Sequence, residues 1–134
     1  MTTNRWPHAF FATAALYGMG GMLWGLTMAI SDNHATYSAH AHLNLLGWVS
    51  LALMGTFYAL LGQGVANWIK LVNFTLSNIG VLFMISGLYL YLGQAGPKSV
   101  YAPMLAVGGL SAVAGFLVFG VTVISTMLRK PAAA

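Results

Sequence analysis

The sequence has almost no acidic side chains: among 134 residues there is one, Asp32, and there is no glutamate. Only 4% of the residues are charged, whereas a soluble globular domain carries about 25%. Such a chain lacks the polar side chains needed to cover a surface that faces water. Cysteine is also absent, which excludes disulfides and thiolate ligands, so any bound metal must use histidine, methionine or oxygen donors.

What is abundant is apolar sequence, which makes up 59% of the chain. The apolar residues form four runs, each long enough to supply the roughly 20 residues of a membrane-spanning helix, and none alternates polar and apolar residues as a barrel strand would. We therefore predict an all-α, integral membrane four-helix bundle that forms one domain over residues 1–134. The predicted helices are residues 9–30, 39–61, 68–92 and 103–128, the last beginning near Pro103 because proline suits a first helical turn.

The five basic residues are spread over the ends of these runs, so nucleic-acid binding is not expected. Cytoplasmic loops of membrane proteins carry most of the lysine and arginine. Here the side that holds both termini and the second loop carries four basic residues, and the opposite side carries Lys98 alone. We therefore expect an integral protein of a bacterial plasma membrane with both termini in the cytoplasm. The four residues on the inner side are Arg5, Lys70, Arg129 and Lys130.

Small residues recur along each predicted helix at spacings that are typical of close helix contact. A second interpretation is that the glycines leave room for a flat cofactor, and the sequence does not separate the two. The positions are Gly21 and Gly25, Gly47 and Gly55, Gly80 and Gly87, and Gly108 with Ala112.

Three of the four histidines, His34, His40 and His42, fall within nine residues at the outer end of the second predicted helix. Ionisable side chains in or near a membrane are costly and indicate function. In a helix, residues two apart project about 200° apart, so His40 and His42 would serve two cofactors or two neighbouring subunits. If the segment were extended, the two would share a side and, with His34, could form a three-histidine site for zinc or copper.

The aromatic side chains near these histidines favour a large apolar cofactor over a bare ion. Trp24 and Trp48 lie below the outer surface, where bulky rings beside small residues could line a slot for haem. A ligating histidine also needs an acceptor for its second N–H group. Asn44, Ser38, Tyr37 and the backbone carbonyls are the candidate partners.

Residues 40–58, which begin His-Ala-His and continue as an apolar helix, resemble a haem-ligating helix of the haem-copper oxidase subunit I superfamily, including its nitric-oxide-reductase-like relatives. In that family a twelve-helix subunit consists of three four-helix arcs, with metal-binding histidines on the second helix of each arc. The resemblance implies that this chain is one arc and that three copies form a homotrimer with closed cyclic symmetry. It also implies a haem b between protomers, with His40 from one and His42 from the next as axial ligands.

The chain departs from the family pattern in ways that bear on activity. The third and fourth predicted helices contain no histidine, so the oxidase copper site has no ligands there, and the acidic proton paths are missing. Oxygen reduction is therefore not expected. The expected function is electron transfer, or redox or gas sensing. Two axial histidines would leave no open coordination position on the iron, whereas a single histidine would leave one position for a gas. Expected partners are membrane lipid, further copies of the chain and a redox partner protein.

Two other classes stay open at this level. One is a small membrane protein that binds copper or zinc through histidine and methionine, of which the chain has eight. The other is a structural subunit with no cofactor. His34 is either a ligand of a second metal, with copper the candidate, or a solvated residue of the outer loop.

Overall fold

The computed structural model describes residues 5–128, and within this range the regular structure is helical. Four helices have the length and apolar composition to cross a membrane, which confirms the predicted fold class of an all-α membrane protein. At 1.5 Å per residue, even the shortest helix, of 24 residues, exceeds the roughly 30 Å of a hydrocarbon core. Arg129 and Lys130 lie outside the described residues. The helices are α1 (Trp6–Ser31), α2 (Tyr37–Leu60), α3 (Asn67–Leu92) and α4 (Lys98–Met127).

The first three predicted ranges differ from the helices by no more than three residues at either end. The fourth helix differs more, because it begins at Lys98 and Pro103 lies inside it. Lys98 and Ser99, which precede the apolar run, are the first two residues of the helix, and Pro97 precedes them in extended backbone. A proline therefore marks this helix start, but it is Pro97 and not Pro103.

Helix α2 is continuous but not uniform. Its first part, Tyr37–His42, and its last part, Leu51–Leu60, are α-helical. The intervening segment, Leu43–Ser50, is a π-helix, in which backbone hydrogen bonds join residues five apart. Such segments are rare and occur frequently at functional sites. This one begins directly after the second histidine of the His-Ala-His motif.

Successive helices run antiparallel and approach closely where one of them carries glycine. A Cβ atom built on Gly80 of α3 would stand 2.7 Å from the backbone nitrogen of Ala112 of α4. On the other side of the molecule, a Cβ on Gly47 of α2 would stand 2.9 Å from the Tyr17 side chain of α1. The predicted small-residue positions are therefore helix contacts. Such contacts are common between membrane helices, which the hydrophobic effect does not drive together.

Buried and half-buried tyrosine and asparagine side chains tie these helices together by hydrogen bonds. The Tyr58 hydroxyl donates to Oδ1 of Asn73 at 3.1 Å, and Nδ2 of Asn73 donates to the carbonyl of Gly115 at 2.8 Å, which links α2, α3 and α4. The Tyr17 hydroxyl donates to Oδ1 of Asn78 at 2.9 Å, which links α1 to α3. Within residues 5–128, no buried side-chain nitrogen or oxygen lacks a partner.

The four helices do not close into a ring. Helix α4 packs chiefly on α3, and α1 packs chiefly on α2. Near the ends of α2 and α4, Phe119 of α4 meets Phe57 of α2 edge to face, with 5.3 Å between ring centroids. Toward the start of α2, this helix and α4 are separated by an open groove whose floor is α3. This groove is where the histidine motif enters the fold.

Candidate functional site

The side of α2 that faces α1 carries side chains that fit onto glycines. Each glycine lacks the Cβ that would otherwise occupy the space of the side chain opposite: a built Cβ would stand 2.5 to 3.0 Å from it. The fit explains why α1 has small residues at these places, since any larger residue would separate the two helices. The pairs are Gly25 with His40, Gly21 with Asn44, and Gly18 with Trp48.

The His40 imidazole is held between α1 and Asn44. A Cβ on Gly25 would stand 2.9 Å from its Cε1 atom. Nδ2 of Asn44 donates to the His40 carbonyl at 3.0 Å and lies at nearly equal distances, 3.4 and 3.5 Å, from the two ring nitrogens. Equal distances place the amide over the ring, because a hydrogen bond in the ring plane would favour one nitrogen. Asn44 therefore orients His40 without using a specific ring nitrogen.

The His42 imidazole has one nitrogen fixed by the backbone. Its Nδ1 lies 2.7 Å from the carbonyl oxygen of Ser38, one turn earlier on α2. A carbonyl oxygen can only accept a hydrogen bond, so Nδ1 carries the proton. In the neutral ring, Nε2 then holds an unshared electron pair, and among the described residues it has no hydrogen-bond partner. Metal-ligating histidines are oriented in this way, with the second nitrogen donating to a carbonyl or carboxylate.

The His42 ring lines the groove between α2 and α4, which has a volume of about 620 Å³. Pockets for cofactor-sized molecules have volumes of about 300 to 1,000 Å³ and mostly apolar walls. All other side chains along this groove are apolar. They are Leu46 of α2, Met84 of α3, and Gly109, Leu110, Ala112, Val113, Phe116 and Leu117 of α4.

The two histidines of the motif face opposite sides of α2, as their spacing in a helix predicts. His40 faces α1, and His42 faces α3 and α4. The alternative of a three-histidine ion site required an extended backbone, but both residues lie in a helical turn. Within residues 5–128, no three side chains of the types histidine, aspartate and glutamate come together as a metal cluster.

His34 lies away from helical structure, in the exposed turn between α1 and α2. Its Nδ1 is 4.0 Å from Oδ1 of Asp32, and both side chains are largely in contact with solvent. The neighbouring Asn33 side chain accepts a hydrogen bond from the backbone of Ala35 at 3.0 Å, which shapes the turn. His34 is thus brought near one carboxylate and not into the groove that His42 lines.

The two tryptophans that the sequence places near the histidines do not line the His42 groove. Trp24 donates from its indole nitrogen to Thr36 at 3.1 Å and meets the Tyr89 ring edge to face at 5.8 Å. It lines a separate groove of about 450 Å³ on the α1 side of α3. Trp48 covers Gly18 and remains 42% exposed. The structure therefore groups Trp48 and Asn44 with His40.

Sequence reasoning did not find the residues that face His42 across the groove. Met84, Leu110 and Phe116 lie in largely apolar stretches of α3 and α4, so hydropathy does not show which of these side chains face α2. One signal was present: the Gly108-Gly109 pair on α4, where a Cβ on Gly108 would meet the backbone of Met84. This contact fixes α3 and α4 together at the level of the groove.

Comparison of the chain with protein-family models, with curated proteins and with solved structures finds no match.

Proposed function

We propose that this chain is a membrane haem b protein that acts in electron transfer, or in redox or gas sensing. The observation that supports this proposal most is the state of His42. Its Nδ1 is bonded to the Ser38 carbonyl, its Nε2 is unbonded among the described residues, and its ring lines an apolar groove. An oriented neutral imidazole beside a large apolar volume suits a haem ligand better than a residue that only faces lipid.

The residues of the groove fit the needs of such a group. Nε2 of His42 would be the axial ligand, and the Ser38 carbonyl would hold the imidazole in the tautomer that presents this nitrogen. The apolar side chains of α3 and α4, such as Met84 and Phe116, would exclude water from the ring. When bound, the haem iron supplies one-electron chemistry or a site for a gas ligand.

We further propose a homotrimer in which each haem lies between protomers, with His42 from one and His40 from the next as axial ligands. In support, the two histidines face opposite sides of α2 and the groove that His42 lines is open. To reach the haem of the neighbouring protomer, the His40 ring would turn out of its contact with Gly25 of α1. A second copy placed over the groove would cover the apolar side chains that one chain leaves uncovered. Closed cyclic symmetry is the arrangement in which identical chains satisfy such a two-sided interface.

Native mass spectrometry in detergent tests this assembly. The proposal predicts a particle with three times the 14.2 kDa mass of one chain, plus haem. A monomer that keeps one haem would contradict it.

If the iron has two histidine ligands, carbon monoxide should not change the reduced spectrum, which indicates electron transfer. A shifted spectrum indicates one histidine and a sensor of gas ligands.

The proposed location is a bacterial plasma membrane with both termini in the cytoplasm. The support is the distribution of basic residues, with Arg5 and Lys70 on one side and Lys98 on the other. In this orientation the histidine motif and the mouth of the groove lie at the outer surface. A redox partner protein would then reach the site from outside the cell.

A second candidate is a copper-binding membrane protein, which one observation favours. His42 and Met84 line the same groove, and imidazole with thioether is a ligand pair that suits Cu(I). Copper would appear in the purified protein at one ion per chain without the intense visible absorbance of haem, and Met84→Leu would remove it. A structural subunit with no cofactor would instead tolerate Ala at both positions of the His-Ala-His motif.

A further inference from the structure

Side chains of α2 that share one environment recur every four residues. One set faces α1, a second set lines the groove and the small cavity that adjoins it, and a third set is exposed. The first set is His40, Asn44 and Trp48; the second is His42, Leu46, Ser50 and Met54; the third is Leu45, Val49 and Leu53.

A uniform α-helix cannot keep such sets aligned over this distance. Each residue turns the helix by about 100°, so a step of four residues overshoots a full turn by about 40°. From His42 to Met54, which are twelve residues apart, the drift would reach about 120°. His40 is fourteen residues from Met54, and the same helix would bring it back to within about 40° of the Met54 side. A uniform helix with Met54 in place would therefore turn His40, and not His42, toward the groove.

The π-helical segment Leu43–Ser50 removes this drift. A π-helix holds more residues in each turn than an α-helix, so the segment takes up about one extra residue without rotating what lies beyond it. A side chain supports the wide turn, since the Ser50 hydroxyl donates to the Leu45 carbonyl, five residues back, at 2.7 Å. The part of α2 after this segment, Leu51–Leu60, keeps Met54 and Tyr58 in the buried core while His42 faces the groove.

We propose that the π-helical segment is the positioning element of the site, and that it selects His42 over His40 as the side chain facing the groove. The orientation of the side chains does not depend on a cofactor. Only its purpose, the presentation of an imidazole to haem, rests on the proposed function. Asn44 and Trp48 belong to the same segment, so the wide turn also sets the contacts with α1.

Deletion of one residue within the segment gives a sharp test. If Val49, which is exposed, is deleted, eleven residues separate His42 from Met54, and a uniform α-helix then places them within about 20° of each other. The proposal therefore predicts that the Val49 deletion is tolerated and leaves His42 in the groove. If α2 were uniformly α-helical, the same deletion would rotate His42 away by about 100°.

The matched control is deletion of Leu82, an exposed apolar residue in the middle of α3, which is α-helical throughout. That deletion has no π-helix to absorb it, so we expect loss of folded protein. Gly80 and Gly87, which both lie against α4, are seven residues apart and share one side of α3; after the deletion they would be about 120° apart. Folded yield and melting temperature in detergent compare the two deletions. Equal loss of folded protein in both would overturn the proposal.

Cross-linking reports the orientation of α2 without reference to haem, because the chain has no cysteine of its own. Leu46, Met54 and Phe116 line one cavity. Two double variants use this: Leu46→Cys with Phe116→Cys, and Met54→Cys with Phe116→Cys. Each pair should form a cross-link in the chain of natural length, and the first pair should do so without loss after deletion of Val49. A cross-link from only one of the two pairs, or loss of the first pair on deletion, would overturn the proposal.

Haem spectra of the deletion variant separate this proposal from the proposed function. With the Val49 deletion, haem absorbance should still be lost on His42→Ala. If the haem absorbance of the deletion variant is instead lost on His40→Ala and kept on His42→Ala, the selection of His42 is overturned. Protein that carries no haem, yet keeps both cross-links, would contradict the haem function and leave the role of the π-helix supported.

Discussion

The imidazole of His40 lies directly on Gly25: a Cβ atom added to Gly25 would stand 2.9 Å from Cε1 of the ring. Nonbonded carbon atoms are ordinarily about 3.5 to 4.0 Å apart, so the ring occupies the space that any other residue at position 25 would need. The position of His40 is thereby tied to a residue on another helix. His42, by contrast, is tied to its own helix through the Ser38 carbonyl.

Gly25→Ala should therefore move His40 and leave His42 in place. The added methyl group must push the ring away from α1, at a cost of about 1 to 3 kcal/mol in the free energy of unfolding. Side-chain ¹⁵N signals of histidine-labelled protein report each ring, and the chain has only four histidines. We expect the His40 signals to shift and those of His42 to stay.

Gly20→Ala is the control for this prediction, because a Cβ on Gly20 has nothing within 4 Å. It lies on the same helix and adds the same group. Unchanged His40 signals in Gly25→Ala, or equal shifts in both variants, would contradict the contact.

A second prediction follows from the close approach of α3 and α4. In Gly80→Ala the new methyl group would meet the backbone of Ala112, which cannot move aside as a flexible side chain can. We expect a loss of about 1 to 3 kcal/mol in the free energy of unfolding, measured by denaturation in mixed detergent. Gly120→Ala, where the added atom has nothing within 4 Å, should be neutral or stabilising, because alanine favours a helix by up to about 1 kcal/mol. Equal stability of the two variants would show that the helices are farther apart.

The buried hydrogen bond between Tyr58 and Asn73 makes a third prediction. Tyr58→Phe removes the hydroxyl that donates to the asparagine at 3.1 Å and leaves a buried acceptor without its partner. The expected loss is about 0.6 to 2 kcal/mol, the range for hydrogen bonds between membrane helices and for unpaired buried groups. Tyr37→Phe, at an exposed ring, is the matched control and should leave the melting temperature unchanged. Equal effects of the two variants would contradict a specific role for the buried bond.

A fourth prediction concerns chemical rescue of the proposed ligand. His42→Gly should lose haem from the groove, and added imidazole should restore the absorbance, because the substitution leaves an apolar cavity of the shape of the ring. His8→Gly, at an exposed residue near the start of α1, is the control and should keep its haem without imidazole. Titration of the visible spectrum with imidazole measures the rescue. An undiminished spectrum in His42→Gly would remove this residue from the site.

The sequence was sufficient for those features that depend on composition and simple periodicity. Four apolar runs of sufficient length predict four spans, and the spacing of His40 and His42 predicts opposite directions, because both follow from helix geometry alone. The predicted start of α4 differs from the structure because Pro97 and Pro103 both suit the beginning of a helix, and the helix begins after the first of them.

The groove and the π-helix could not be predicted from sequence for a different reason. Around Met84 on α3 and Phe116 on α4 the sequence is largely apolar, so no hydrophobic face shows that these two side chains turn toward His42. In α2, the segment Leu43–Ser50 has no proline, and its single glycine resembles the others in the chain. Its extra residue is apparent only when the partners of Trp48 on one side and Met54 on the other are both known.

The proposed haem site depends on the free imidazole nitrogen of His42 in the groove between α2 and α4. The most direct test is the visible spectrum, oxidised and dithionite-reduced, of the detergent-purified protein and of His42→Ala produced in the same haem-supplied cells. We expect a Soret band with sharp reduced bands in the natural protein and the loss of these bands in His42→Ala. A colourless natural protein, or a spectrum that His42→Ala leaves unchanged, would contradict the proposed haem site.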